Sequence, residues 1–389
     1  MSSHVTKQWK DLGDKLEKTI AIMGRHRSIL LSVFTCAALA TCIPAVAGPA
    51  HIAKHNTRHL NPAHTRNGIQ KLSNSTEGDV TTFEDPVVRQ AAIQALGRYD
   101  GSVVAIDPNS GRILSIVNQK MAFSGGFKPC STIKPVIAVA ALQEGFVTRD
   151  TKIRVTRRKY LNLTEAIAHS NNAYFEELGR RMGFDTVSNY ARELGLGERA
   201  GYEISQEQPG TVPDEPPARG GVGRMSSFGE GILMTPLQLG ALVSAVANGG
   251  TLYYLQYPQT PEEQDNFEPR VKRMLDIQPL LPDLREGMHA AVTRGTARRS
   301  NMPDDEDVSG KTGSCSDSGS RLGWFVSYMD QPNLKIVLVI LMRGHSHAVR
   351  GPMAAGIAGR IYRELQKDEY ITKQDANAGI PTVAEKLTQ

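Results

Sequence analysis

Aromatic side chains make up only 6% of this 389-residue chain, and no basic stripe alternates with them. Charge of one sign is equally sparse. Forty-five Lys and Arg against 40 Asp and Glu leave a formal +5, too weak over such a length to argue for a nucleic-acid partner. The four cysteines form no CxxC pair, which excludes a disulfide-framework miniprotein, a thiolate zinc site and a thioredoxin-type centre. There is no internal repeat. What the chain does have is 40% apolar residues, which excludes disorder throughout and suffices for one large globular domain or two modest ones.

One uncharged run stands out. Residues 28–50 carry no charge, and the stretch from Ile29 to Ala47 is just long enough to cross a hydrocarbon layer as a helix. The preceding residues 1–27 hold six Lys or Arg against three acids, so this end is expected to stay in the cytoplasm. The expectation is a single-pass inner-membrane anchor at 28–47 with the rest of the chain extracytoplasmic. Ala45-Val46-Ala47 also fits the cleavage site of a signal peptide, and that alternative stays open. Residues 48–84 are polar and mildly basic and read as a linker, whose His51, His55 and His59 are solvated rather than metal-binding. A folded domain is expected over 85–370, with a C-terminal tail at 371–389.

Within that domain, residues 101–118 place two β-branched runs around Asp107-Pro108-Asn109-Ser110-Gly111, an antiparallel hairpin. Residues 131–145 are Ala-rich with apolar positions at helical spacing, and Pro135 is tolerable only in a first turn. Ser131 is thereby placed at a helix N-terminus. Further helices are predicted over 163–183, 184–195 and 235–250, strands over 321–329 and 333–344, and a closing helix over 352–367. Strands come early and late with helices between. The fold class is therefore α+β, a mainly antiparallel sheet flanked by helices and enclosing an all-helical subdomain.

Three short motifs carry chemistry. Ser131-Thr132-Ile133-Lys134 is an SxxK tetrad whose serine and lysine lie one helical turn apart, so the amine can reach the hydroxyl. The helix N-terminus favours a developing oxyanion there, and an apolar flank can depress the lysine toward a useful base. Ser170-Asn171-Asn172 supplies SxN, and Lys311-Thr312-Gly313-Ser314 supplies KTGS just before the late strands. Each is common alone; the ordered set is not.

With that set the chain resembles the penicillin-binding transpeptidases and the related serine β-lactamases. The resemblance runs from about Asp85 to residue 367 and includes the opening hairpin, KPCSTIKPVIAVAAL around the serine, LGLGERAGYEISQEQPGTVP after SxN, and SGKTGS followed by GWFVSYM. It implies that Ser131 attacks the penultimate D-Ala carbonyl of a peptidoglycan stem peptide with Lys134 taking its proton. It further implies that Ser170, near Lys134 and Lys311, relays a proton to the departing amine, and that Asn172 holds the substrate amide. Lys311, Thr312 and Ser314 would bind the terminal carboxylate, the N–H groups of Ser131 and Ser314 would form the oxyanion hole, and Gly313 would keep the strand bare for substrate backbone. β-Lactams should acylate Ser131. Neither metal nor organic cofactor is implied.

The same resemblance implies a disulfide between Cys130 and Cys315, which flank the serine and KTGS and match the positions of a bridge in certain carbapenem-hydrolysing β-lactamases. A DD-transpeptidase is expected, because Glu198 and Glu203 read as surface charges and offer no deacylating base. A β-lactamase, a DD-carboxypeptidase and a non-catalytic β-lactam sensor remain as alternatives. The short Ser131-to-Ser170 spacing suggests a trimmed helical subdomain, and no pedestal or glycosyltransferase domain fits before residue 85. His345 and His347 read as surface residues of a turn, and Asp304 to Asp307 as a solvated acidic loop.

Overall fold

The computed structural model describes residues 76–302, 308–331, 334–367 and 370. The expected membrane segment, the linker histidines, the acidic run and the tail from 371 lie outside them. Among the described residues, no helix is long and apolar enough to cross a membrane.

The centre is a five-stranded antiparallel sheet in the order β2-β1-β9-β8-β7. Its strands are β1 (Gly101–Ile106), β2 (Ile113–Val117), β7 (Val308–Asp317), β8 (Ser320–Gln331) and β9 (Leu334–Gly344). Both ends of the domain contribute, as β1 pairs with β9 through Val104 opposite Val339. Alternation along the strands feeds two cores. Val104, Ile106, Val337, Val339 and Leu341 face one, and Val103, Ala105, Ile336, Leu338 and Ile340 face the other.

The second core is closed by α1 (Pro86–Leu96) and α11 (Gly351–Lys367), which meet over that face of the sheet. Helix α1 begins cleanly because Asp85 caps the N–H groups of Val87 and Val88 and Pro86 needs no donor. The linker was expected to run to residue 84, but the fold begins earlier. Arg89 bridges Asp79 and Glu84 at 2.9 and 2.8 Å, and Asp79 also accepts from the N–H groups of Asn118 and Gln119. Those carboxylates are buried with their partners, so residues 79–84 belong to the domain.

Opposite lie α2 (Gln119–Ala122), α3 (Lys134–Gln143), α4 (Leu163–Ala168), α5 (Asn172–Met182), α6 (Phe184–Glu193), α7 (Gly221–Phe228), α8 (Pro236–Asn248), α9 (Pro261–Asp265) and α10 (Leu281–Thr293). Helix α3 is apolar all round because α4, α5, α6 and α7 enclose it. Helix α8 carries a capping box in which Thr235 and Gln238 each satisfy the other's backbone N–H. The enclosed region is not wholly helical: it contains the hairpin β3 (Ile153–Arg154) with β4 (Tyr160–Leu161), and β5 (Thr251–Tyr253) paired with β6 (Val271–Met274).

Two predicted helices are altered. The helix expected over 163–183 is broken into α4 and α5, because Ser170 takes a left-handed φ of 53° and Asn171 caps the second piece through the Tyr174 N–H. Ser131 does not open an α-helix directly. It lies in a single 3-10 turn, Cys130–Ile133, that leads into α3 at Lys134.

Candidate active site

Each motif is delivered by a different element. The 3-10 turn carries Ser131, the break between α4 and α5 carries Ser170, the first residue of α5 is Asn172, and edge strand β7 carries Lys311 to Ser314. They meet around the Lys134 amine. Its Nζ lies 3.0 Å from Ser131 Oγ, 3.1 Å from Ser170 Oγ, 2.7 Å from the Ser170 carbonyl oxygen and 2.7 Å from Asn172 Oδ1. The Lys311 Nζ donates to Ser170 Oγ at 2.9 Å and to the Thr312 carbonyl at 2.9 Å. Ser170 is thus hydrogen-bonded to both amines, and Ser131 to one.

Burial sets the protonation of this cluster. Ser131 is 9% exposed, whereas Lys134 and Lys311 are wholly inaccessible. Loss of solvent holds Lys134 well below the ordinary lysine range, the nearby Lys311 charge pushes it further, and Glu176 pulls it partly back. Lys311 is brought down to about 7 by burial. A neutral Lys134 has two N–H bonds and one lone pair. The two shortest contacts, to the Ser170 carbonyl and Asn172 Oδ1, take the donors. The third N–H of the protonated amine reaches Ser131 Oγ and Ser170 Oγ at 3.0 and 3.1 Å, and in the neutral amine a lone pair stands in its place, able to accept the Ser131 proton, which is the geometry of a nucleophile and its base.

The backbone at the site is strained on both sides of the cluster. Cys130 and Ser170 have φ of 54° and 53°, a region that costs a non-glycine residue about 1 kcal/mol or more. Cys130, immediately before the serine, is disulfide-bonded to Cys315, immediately after KTGS, with Cα atoms 5.6 Å apart. The bridge ties the 3-10 turn to the strand across 185 residues of sequence.

Gly313 differs from the expectation. A Cβ there would lie 3.0 Å from the Pro129 carbonyl oxygen and 3.1 Å from both Thr132 Cγ2 and Trp324 Cβ. The glycine therefore lets the strand close on the serine's own turn rather than clearing room for substrate. β7 itself is the last strand of the sheet, so one side of it has no strand partner among the described residues.

Three further residues have roles that were not foreseen, Trp324 among them although it lies in the GWFVSYM run. Thr296 Oγ1 lies 2.6 Å from Thr312 Oγ1, and the Gly351 N–H donates to Ser314 Oγ at 2.8 Å. With Thr296 as donor, both motif hydroxyls accept and keep their own hydrogens for an anion. Trp324, opposite Gly313 on β8, donates its indole N–H to the Lys128 carbonyl at 3.1 Å and anchors the approach to Cys130.

The glutamates of the segment after SxN are committed elsewhere. Glu198 pairs with Lys272 and Arg273 at 3.0 and 2.5 Å, so it is a half-buried ion-pair member rather than a free surface charge. Glu203 is exposed. The unforeseen Glu207 is fully buried; it accepts from the Ala200 and Gly201 N–H groups and the Thr235 hydroxyl, and burial raises its pKa against those bonds. It clamps that segment to the start of α8. His345 is exposed and sits 3.1 Å from the Gly319 carbonyl. Among the described residues no group of three His, Cys, Asp or Glu could hold a metal ion.

A mainly antiparallel sheet with helices on both faces, a buried lysine under a serine, and an edge strand bearing KTGS define a serine acyltransferase-type site. Residues 101–364 match the penicillin binding protein transpeptidase domain, and the chain belongs to that family. It is 26% identical over 318 residues to stage V sporulation protein D of Bacillus subtilis, covering 68% of this chain and 49% of that protein. It is 23% identical over 343 residues to the peptidoglycan D,D-transpeptidase MrdA of Haemophilus influenzae, covering 66% and 52%. The chain spans about half the length of these curated relatives. The crystal structure of Pseudomonas aeruginosa PBP2 in complex with WCK 5153 superposes with a TM-score of 0.62 at 20% identity, covering 72% of this chain and 76% of that one, which shows the shared fold.

Proposed function

We propose that this chain is a serine DD-transpeptidase that cross-links peptidoglycan stem peptides through an acyl-enzyme on Ser131, and that β-lactams acylate the same oxygen. The observation that carries the reading is the buried Lys134 amine, 3.0 Å from Ser131 Oγ, with its other neighbours arranged to consume its donors. Ser131 passes its proton to Lys134, and Oγ bonds to the carbonyl carbon of the penultimate D-Ala. The N–H groups of Ser131 and Ser314 receive the oxyanion. The C–N bond then breaks as Ser170, hydrogen-bonded to both amines, gives its proton to the leaving nitrogen and regains one from Lys134. Lys311, Thr312 and Ser314 hold the terminal carboxylate, and the Asn172 amide N–H₂ holds the substrate backbone.

Transfer to an amine is favoured over hydrolysis. Fast deacylation needs a base for water, and Glu198 and Glu207 have their oxygens engaged in ion pairs and backbone bonds. Residues 28–47 anchor the chain in the inner membrane and place this domain outside it; their length and lack of charge support that reading. The test is to incubate the protein with a labelled penicillin and follow release of the label. A long-lived adduct is expected, whereas many turnovers per minute would make the chain a β-lactamase.

A further inference from the structure

Next to Thr296, the hydrogen-bond partner of Thr312, lies a cleft of about 600 Å³ whose lining includes five basic side chains, His169, Arg294, Arg298, Arg299 and Arg350, and, among the described residues, no acidic one. Its walls adjoin the active site. His169 immediately precedes Ser170, the lining Thr296 is bonded to Thr312, and Arg350 precedes the Gly351 whose N–H holds Ser314. The backbone of Arg350 is itself fixed against β8, where a Cβ on Gly323 would lie 2.8 Å from the Arg350 nitrogen.

Only part of this charge is answered. Glu165 pairs with Arg294 at 2.7 Å and with His169 at 3.3 Å. Arg298, Arg299 and Arg350 are exposed and make no ion pair among the described residues. Arginines gathered at one cleft repel one another, and a bound anion turns that repulsion into attraction.

We propose that this cleft is a subsite for a second carboxylate, carried by the acceptor in the transfer step; the inference rests on the acyl-transfer reading of Ser131. An attacking amine retraces the path of the amine that left, so the carboxylate on its own carbon takes the place beside Lys311, Thr312 and Ser314. Whatever the acceptor carries further extends past Thr312 toward the arginines. A diacidic acceptor puts its second carboxylate where a guanidinium can grip it with two parallel N–H bonds. In the step itself the acceptor nitrogen bonds to the acyl carbon and the Ser131 Oγ–carbon bond breaks. The amine proton returns to Oγ by way of Lys134 and Ser170.

The full chain is acylated with an N-acyl-D-alanyl thioester, and thiol release reports the acyl-enzyme. Transfer is then compared between D-glutamate and D-glutamine, which differ by one charge, by chromatography of the two products. D-Glutamate is expected to be preferred about tenfold, the scale of a hydrogen-bonded charge pair. That ratio should fall to near one in the double variant Arg298→Ala/Arg350→Ala and be partly kept by the double Lys variant. A ratio near one in the unaltered protein, or one unmoved in the double Ala variant that still releases thiol, overturns the subsite alone. Absence of any thiol release overturns the Ser131 reading and the subsite with it.

Discussion

Removing the charge of Lys311 should change the protonation of Lys134 in a measurable way. Both nitrogens lie near Ser170 Oγ, at 2.9 and 3.1 Å, so they are no more than about 6 Å apart. At an effective dielectric of about 20, two positive charges at that distance repel by about 3 kcal/mol. That corresponds to about two pH units in the protonation of one partner. In the unaltered protein the Lys311 charge lowers the Lys134 pKa on top of burial, whereas Lys311 is lowered by burial alone. Lys311→Met removes the repulsion and leaves desolvation, so the Lys134 pKa rises. The second-order rate of Ser131 acylation by a fluorescent penicillin should therefore show its acid limb moved up by about two pH units. The amplitude will also fall, since Lys311 is assigned to the substrate carboxylate, but the midpoint of the limb is independent of amplitude. A limb that stays in place, or moves to lower pH, refutes the reasoning.

The same substitution has a stability signature. Between about pH 7 and the ordinary lysine range the unfolded chain holds a proton on Lys311 that the folded protein does not, so stability rises with pH across that window. Lys311→Met should accordingly raise the Tm most at and below pH 7, with the gain shrinking toward pH 10; a gain independent of pH contradicts this. Peptide mapping of the denatured, unreduced protein should find the Cys130 and Cys315 peptides joined, and reduction should cost about 2–4 kcal/mol in denaturant melts; labelling of either by a thiol reagent would dismiss the bridge. Gly351→Ala would bring a Cβ to 2.7 Å from Thr312 Cβ and 2.9 Å from the Gly313 carbonyl. It should cost about 1–3 kcal/mol and slow acylation, whereas unchanged values for both would show that β7 tolerates displacement.

Much of the architecture could be read from local pattern. The turn residues at 107–111 announced β1 and β2, Thr235-Pro236 announced α8, and the β-branched run before Gly344 announced β9. Five helices escaped, α1, α2, α7, α9 and α10, even though Asp85-Pro86, Thr260-Pro261 and Leu281-Pro282 carry a proline in the first turn. The break at Ser170 carried no glycine or proline to signal it; the Asn171 cap and the Lys134 bond to the Ser170 carbonyl accompany that φ. The motif residues were found because their order is distinctive. Thr296, Gly351 and the arginines at 294, 298, 299 and 350 could not be, since nothing local ties them to KTGS and only the fold brings them beside it.

Everything in this mechanism depends on Ser131 being the oxygen that is acylated. Digesting the penicillin-treated protein and locating the added mass by tandem spectrometry addresses this directly. The adduct is expected on Ser131 in a single copy and absent from Ser131→Ala. An adduct on another residue, or equal labelling of that variant, would contradict the account.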